Sequence, residues 1–96
     1  MKPQSAYNNK IKKITEYLIN KGCSKIILFG SLAEGNSLNN PDIDIAVSGI
    51  NSNNFWTAIA DLPYIARHRV DLVDLDDVPE NFRDDIEKNG VMLYGN

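Results

Sequence analysis

Several residue types and patterns that mark common protein classes are scarce or missing in this sequence. Cys23 is the only cysteine, so no disulfide can form within the chain. The formal net charge of -3 offers no broad basic field for nucleic acid. Residues 1–9 are polar, and no apolar stretch has the length needed to cross a bilayer. We therefore expect a cytoplasmic protein with neither nucleic acid nor a membrane as its direct partner.

What is present is the composition of an ordinary folded domain. Hydrophobic residues make up 43% of the 96 residues and charged residues 24%, which disfavours disorder. A chain of this length has room for one hydrophobic core, so we predict a single domain over residues 1–96. Because so small a domain leaves much surface uncovered, association with another chain would bury more of it.

Periodicity predicts helices and short strands in mixed order. Apolar residues at helical spacing predict a first helix over residues 5–21, a second that begins at Phe55 and ends near Pro63, and a third over 79–88. An apolar run predicts a doubly buried strand over 24–29, and alternation predicts strands over 42–47 and 70–75. Residues 91–94 are a candidate for a fourth. The predicted fold class is α/β (α+β), a small mixed β-sheet flanked by helices.

Asp42 and Asp44 are unusual residues for the start of a strand. Strict alternation places both on one face, with Ile43 and Ile45 on the other. Aspartate is disfavoured in strands, and like charges on one face repel each other. A divalent cation would relieve this repulsion, because Mg²⁺ prefers carboxylate oxygens together with substrate phosphates. An isolated Asp-x-Asp pair is more often a solvated strand end, so the pair alone does not establish a metal site.

Gly30 and Ser31 come directly after the first predicted strand. Glycine lets the backbone approach a ligand closely, and a hydroxyl and an N–H at the start of a helical turn favour an anion. The pair therefore predicts a phosphate-binding turn that leads into a short helical turn. An ordinary strand-to-helix turn has the same composition, so this motif also needs its neighbours.

Taken together, these segments resemble the minimal nucleotidyltransferases of the polymerase-beta-like superfamily. The resemblance lies in residues 29–35 (FGSLAEG), 42–47 (DIDIAV) and 69–75 (RVDLVDL). It implies the polymerase-beta-like nucleotidyltransferase fold, with Asp42, Asp44 and Asp71 as catalytic and metal-binding residues and Gly30 and Ser31 as nucleotide-binding residues. Period two places Asp71 and Asp74 on opposite faces of the third strand, so only one can join the site, and the resemblance favours Asp71.

The resemblance also implies a reaction. ATP would be the substrate, two Mg²⁺ ions would act at the α-phosphate, and pyrophosphate would leave. Small relatives of this kind act as antitoxins that bind helical HEPN-type ribonuclease toxins and transfer AMP to a tyrosine. We therefore expect a protein adenylyltransferase paired with such a toxin, in a possible hetero-oligomer, since the chain lacks room for a second, acceptor-binding half.

Two other functions stay open at this point. The chain could be a catalytically weak binding module that neutralises its partner by contact, or it could transfer AMP to a small molecule such as an aminoglycoside. One departure from the family bears on this choice, because the position before the first aspartate is usually serine and is Pro41 here. Proline removes a backbone donor and fixes φ, which could slow the reaction.

The remaining polar and aromatic candidates receive structural interpretations. His68, the only histidine, is predicted to be an exposed loop residue outside catalysis. Phe55 and Trp56 are predicted to be core or interface residues. The aspartates at the end of the third strand, Asp74, Asp76 and Asp77, are predicted to mark a polar exit from the strand.

Overall fold

The structure, a computed structural model, describes residues 5–35 and 40–95 of the chain. Within them the elements follow in the order α1 (Ser5–Asn20), β1 (Lys25–Phe29), β2 (Ile43–Ser48), α2 (Ser52–Ala66), β3 (Val70–Asp74), a 3-10 helix (Leu75–Asp77), α3 (Glu80–Asn89) and β4 (Val91–Tyr94). The sequence Asn-Ser-Leu-Asn-Asn-Pro over residues 36–41 predicts a loop by its composition, and residues 36–39 of it lie outside the described residues. No helix among those described has the length and apolar character of a membrane span.

The four strands form one mixed sheet in the order β3-β2-β1-β4. β2 and β3 are parallel and are joined through α2, whereas β1 runs antiparallel to both of its neighbours. The C-terminal end of β1 therefore meets the N-terminal ends of β2 and β3 at one edge of the sheet. The predicted fold class, a small mixed sheet flanked by helices, is confirmed.

The two faces of the sheet are covered unequally. Helices α1 and α2 pack on one face and build the larger core, whose fully buried members include Ile14, Leu18, Ile45 and Leu62. The opposite face has a smaller cluster, formed by Ile27, Ala46, Leu75 and Ile86. This alternation along β2, with isoleucines toward one face and Asp44 and Ala46 toward the other, agrees with the period-two pattern of the sequence.

Cys23 belongs to the larger core. Its side chain is buried, and this burial, with a smaller contribution from the charge of Asp74, raises the pKa of the thiol to about 11. A thiol with so high a pKa is a weak nucleophile near neutral pH. Cys23 therefore acts as a small buried apolar residue.

The second helix is longer than predicted and does not stop at Pro63. It begins at Ser52 and runs to Ala66, with Pro63 inside it. A proline inside a helix typically costs about 3 kcal/mol, because one backbone hydrogen bond is lost and the ring crowds the preceding turn. Leu62 and Ala66, on either side of the proline, are both buried in the core. Burial of the last turn outweighs the helix-breaking tendency of the proline, and the helix ends where Arg67 takes a left-handed conformation.

Leu62 and Ile59 allow a direct test of this explanation. Leu62 is fully buried, whereas Ile59 on the same helix is 37% exposed. Leu62→Ala should lower the free energy of unfolding by about 2 to 5 kcal/mol, because it leaves a cavity in the core. Ile59→Ala should lower it by about 1 kcal/mol or less. Urea denaturation of both variants measures the difference, and equal losses would contradict the assignment of the core.

Candidate active site

Three aspartates meet at the edge where β1 ends and β2 and β3 begin. Asp44 is the second residue of β2 and Asp71 the second residue of β3, and the parallel register pairs them directly. Asp42 lies just before β2, which begins one residue later than predicted. The structure therefore places the three carboxylates that the sequence singled out at one edge of the sheet, where the charges of Asp71 and Asp42 act on Asp44.

The carboxyl group of Asp44 is held in an unfavourable environment for a charge. Partial burial raises its pKa from 3.8 to about 6, with further contributions from the negative charges of Asp71 and Asp42 and from a side-chain hydrogen bond with Asp71. Like charges and loss of water both favour the protonated acid. A bound cation would reverse this balance, since its positive charge favours the ionised carboxylate.

Asp42 is turned toward a different partner. Its Oδ1 atom lies 3.4 Å from the Nε of Arg69, an arginine whose side chain is 86% exposed. Among residues 5–35 and 40–95, no three carboxylate, imidazole or thiol groups are placed closely enough to hold one metal ion as they stand. The donor set, all carboxylate oxygen, nevertheless fits Mg²⁺ by its chemistry. For all three aspartates to bind one ion, their side chains would have to move closer together than they stand.

Gly30 lies against Asp44 and begins the turn after β1. Its φ of +75° belongs to the left-handed region, and a Cβ added there would lie 3.2 Å from the Cγ of Asp44 and closer still to one carboxylate oxygen. The turn itself is helical, since the N–H of Glu34 donates to the carbonyl of Gly30 at 3.2 Å. Ser31 in this turn is exposed to solvent. The predicted helical turn is confirmed, and Gly30 has a structural reason to lack a side chain.

Asp74 takes no part in this cluster. It lies on the other face of β3, and its side chain accepts a hydrogen bond from the backbone N–H of Asp76 at 2.9 Å, capping the 3-10 helix. The Asp76 side chain in turn accepts from the backbone of Gly49 and from the hydroxyl of Ser48, and these bonds lower its pKa. These aspartates therefore form the polar exit from the strand that the sequence predicted.

One cavity among the described residues lies away from the carboxylates. It has a volume of about 320 Å³ and is lined by the start of α2 and the end of β3, including Ser52, Trp56 and Asp77. Trp56 is 66% exposed, so of its two predicted roles it is not a core residue and the interface role stays a prediction, whereas Phe55 packs against the core. A smaller cavity of about 90 Å³ adjoins Gly30. The carboxylate cluster thus lies on an open face of the sheet, with Asp71 exposed.

His68 is not the exposed loop residue that the sequence predicted. It is half-buried, and its Nε2 lies 2.8 Å from the carbonyl oxygen of Pro41. Its ring also contacts the ring of Tyr7 edge-on, with 5.2 Å between centroids. No local sequence pattern predicts these contacts, because Pro41 lies 27 positions from His68 along the chain.

Comparison with known proteins agrees with this geometry. The family model for polymerase beta nucleotidyltransferases matches residues 12–96. The chain belongs to this nucleotidyltransferase family. No curated protein matches the sequence significantly. The family assignment confirms the resemblance noted in the sequence and the fold that it implied.

Several solved toxin–antitoxin structures resemble this nucleotidyltransferase. A toxin–antitoxin structure with AMP-PNP matches at 30% identity and a TM-score of 0.78, over 92% of this chain and 74% of the other. A structure of a tri-AMPylated HEPN toxin from Shewanella oneidensis in complex with an MNT antitoxin matches at 30% identity and a TM-score of 0.67, over 97% of this chain and 73% of the other. An MntA-HepT toxin–antitoxin structure matches at 27% identity and a TM-score of 0.71, over 92% and 72%.

Two glycines with positive φ allow the role of Gly30 to be tested. Gly30→Ala and Gly22→Ala should each cost about 1 kcal/mol of stability, because both positions have left-handed backbone conformations. Only at Gly30 would the new Cβ displace Asp44, since nothing lies within 4 Å of a Cβ at Gly22. We expect Gly30→Ala to weaken Mn²⁺ binding about tenfold or more and Gly22→Ala to leave it unchanged. Calorimetry measures both, and equal affinities would contradict a role for Gly30 in shaping the site.

The raised pKa of Asp44 predicts an unusual dependence of stability on pH. The folded protein binds the proton of Asp44 more tightly than the unfolded chain does. Protonated Asp44 therefore contributes to the free energy of unfolding below pH 3.8, and this contribution is lost as pH rises to about 6. Asp44→Asn removes the ionisation, so without metal the variant should exceed the wild type by about 1 to 2 kcal/mol at pH 8, after allowance for solvent screening. Denaturation in EDTA at several pH values measures the gain. A gain that stays constant from pH 4 to pH 8 would exclude the environment described for Asp44.

Proposed function

We propose that this nucleotidyltransferase transfers AMP from ATP to a protein, and that the protein is a helical HEPN-type toxin. The observation that carries the proposal is the cluster of Asp42, Asp44 and Asp71 beside a turn with no side chain at Gly30. Because the negative charges of Asp42 and Asp71 act against ionisation of Asp44, the three carboxylates are suited to bind a cation. The open face beside them leaves room for a nucleotide and for an acceptor from another chain.

Each residue of the cluster has a distinct part in this proposal. Asp42, Asp44 and Asp71 are the metal ligands, and bound Mg²⁺ would supply positive charge that neutralises the developing charge at the α-phosphate. The exposed position of Asp71 suits a residue that also receives the proton of an approaching hydroxyl. The acceptor oxygen would form its bond to the α-phosphorus as the bond to the β-phosphate oxygen breaks, and pyrophosphate leaves.

The turn after β1 is the proposed binding site for the rest of the triphosphate. Gly30 leaves the surface open for a phosphate, and Ser31 offers an exposed hydroxyl and the N–H groups of a helical turn. Such donors hold the β- and γ-phosphates through charge-assisted hydrogen bonds. The turn follows β1, and the carboxylates lie at the start of the neighbouring β2 and of β3. One triphosphate can therefore place its α-phosphate at the carboxylates and its β- and γ-phosphates at the turn.

Support for the acceptor comes from the relatives. The solved structure from Shewanella oneidensis contains a tri-AMPylated HEPN toxin in complex with an MNT antitoxin, and it matches this chain at 30% identity. The net charge of -3 on this chain suits a basic partner such as a ribonuclease. Tyrosine as the modified residue rests on the resemblance to this family alone.

One observation favours a second candidate function, neutralisation by contact without transfer. Asp42 pairs with Arg69, and the described side chains are not arranged to hold a metal ion as they stand. A site in which an arginine replaces the cation would bind its partner without chemistry. The two functions differ in whether the aspartates are needed for neutralisation.

Replacing each of two aspartates of β3 with asparagine distinguishes these two functions. Asp71 lies beside Asp44, whereas Asp74 lies on the other face and can still cap the 3-10 helix as asparagine. In co-expression with a HEPN toxin, Asp71→Asn should lower AMP transfer to that toxin about 100-fold or more. Asp74→Asn should leave transfer close to that of the wild type. Intact mass spectrometry of the toxin counts the adenylyl groups.

The outcomes of that experiment are distinct. Loss of the added mass and of neutralisation only in Asp71→Asn supports the enzyme. Equal neutralisation by both variants, with no added mass on the toxin, supports the binding module instead. Transfer to a small molecule and not to the toxin would contradict both.

A further inference from the structure

Two side chains, one from α1 and one from the segment before β3, bond to the two residues just before Asp42. The hydroxyl of Tyr7 donates to Oδ1 of Asn40 at 3.0 Å, and Nε2 of His68 lies 2.8 Å from the carbonyl oxygen of Pro41. A carbonyl only accepts, so His68 carries its proton on Nε2 in this contact. The rings of Tyr7 and His68 meet edge-on at 85°. We call Tyr7, Asn40, Pro41 and His68 the loop latch.

The loop latch holds the backbone immediately before Asp42. On the other side of Asp42, the N–H of Ile43 donates to the carbonyl of Arg69 at 3.0 Å, which joins the start of β2 to β3. The backbone of Asp42 is therefore fixed by hydrogen bonds on both sides. Its side chain has only the exposed Arg69 as a charged partner in the described contacts, so the carboxylate can turn while its Cα stays in place.

The hydroxyl of Tyr7 bonds to the segment before Asp42. Helix α1 is already anchored by Ile14 and Leu18, both fully buried, so the helix does not depend on the Tyr7 hydroxyl for its packing. Tyr7 is itself 7% exposed, and a buried hydroxyl keeps a partner because an unpaired one is costly. Its partner is the side chain of Asn40, which precedes Pro41 and has a left-handed φ of +55°.

We infer that Tyr7 and His68 are positioning residues, which fix Asn40 and Pro41 and so present Asp42 beside Asp44. This inference rests on the proposed function, because it takes Asp42 as a metal ligand. Residues that orient a ligand without touching the metal commonly change metal affinity by about 10- to 100-fold. A purely structural latch would change the melting temperature and leave metal affinity as it was.

Tyr17 provides a matched control on the same helix. Its hydroxyl donates to Oδ2 of Asp61 at 2.7 Å, joining α1 to α2 away from the carboxylates. Tyr7→Phe and Tyr17→Phe each remove one hydroxyl and keep the ring, and each should lower Tm by roughly 5 °C or less. We expect Tyr7→Phe alone to weaken the binding of Mn²⁺ with AMP-PNP about tenfold. It should also speed amide hydrogen exchange at Ile43, which Tyr17→Phe should not.

A second pair of variants tests His68 by rescue. His68→Ala removes the donor to Pro41 and should weaken Mn²⁺ binding about tenfold or more. His68→Gln supplies an amide N–H at a similar reach, so it should restore most of the affinity. Circular dichroism checks that both variants fold.

The possible outcomes distinguish failure of this inference from failure of the proposed function. If the wild type binds Mn²⁺ with AMP-PNP and Tyr7→Phe behaves like Tyr17→Phe, the inference is overturned and the proposed function stands. If His68→Gln folds but does not restore Mn²⁺ affinity, the hydrogen bond to Pro41 is not what supports metal binding. His68 is then not a positioning residue. If the wild type binds no Mn²⁺ with the nucleotide, the proposed function fails, and the positioning role fails with it.

Discussion

Repulsion among three carboxylates at one edge of the sheet is the constraint on which the arrangement depends. Asp44 faces Asp71 directly across the β2–β3 register, and both desolvation and charge keep its pKa high. The sequence tolerates this cost because the neighbouring residues on β2 compensate. Ile43 and Ile45 are fully buried on the opposite face, and a one-residue slip would expose them to solvent. The core thus holds the acidic edge in register.

The unequal covering of the sheet has a consequence for access. Two helices cover the face that holds Ile43 and Ile45, whereas the face of Asp44 has the smaller cluster around Ala46 and Ile86. A face buried by two helices would exclude a nucleotide. On the face of Asp44, α3 packs only part of the sheet, so polar residues at its edge remain reachable from solvent. Because one face of the sheet holds the larger core and the other is only partly covered, a small chain can combine a stable core with an exposed acidic edge.

Most of this arrangement is visible in local sequence patterns. Alternation of polar and apolar residues predicted which aspartates share a face, and it separated Asp71 from Asp74 before the structure placed them. The predicted end of α2 was wrong. The rule that proline stops a helix considers only neighbouring residues, whereas the burial of Ala66 depends on contacts with residues distant in the sequence. The same limit applies to His68, whose partner Pro41 comes from a distant part of the chain. Periodicity reports the faces of an element and says nothing about which loop a side chain will meet.

Pro41 shows how a departure from a family pattern can be absorbed by contacts that are distant in sequence. Proline has no N–H, so at this position the backbone can be held only through its carbonyl or its ring. The carbonyl oxygen has a donor in His68, and the residue before it has a donor in Tyr7. The segment is therefore anchored from α1 and from the start of β3 at once. Loss of one backbone donor need not loosen the loop, because two side chains from other elements provide the hydrogen bonds that fix it.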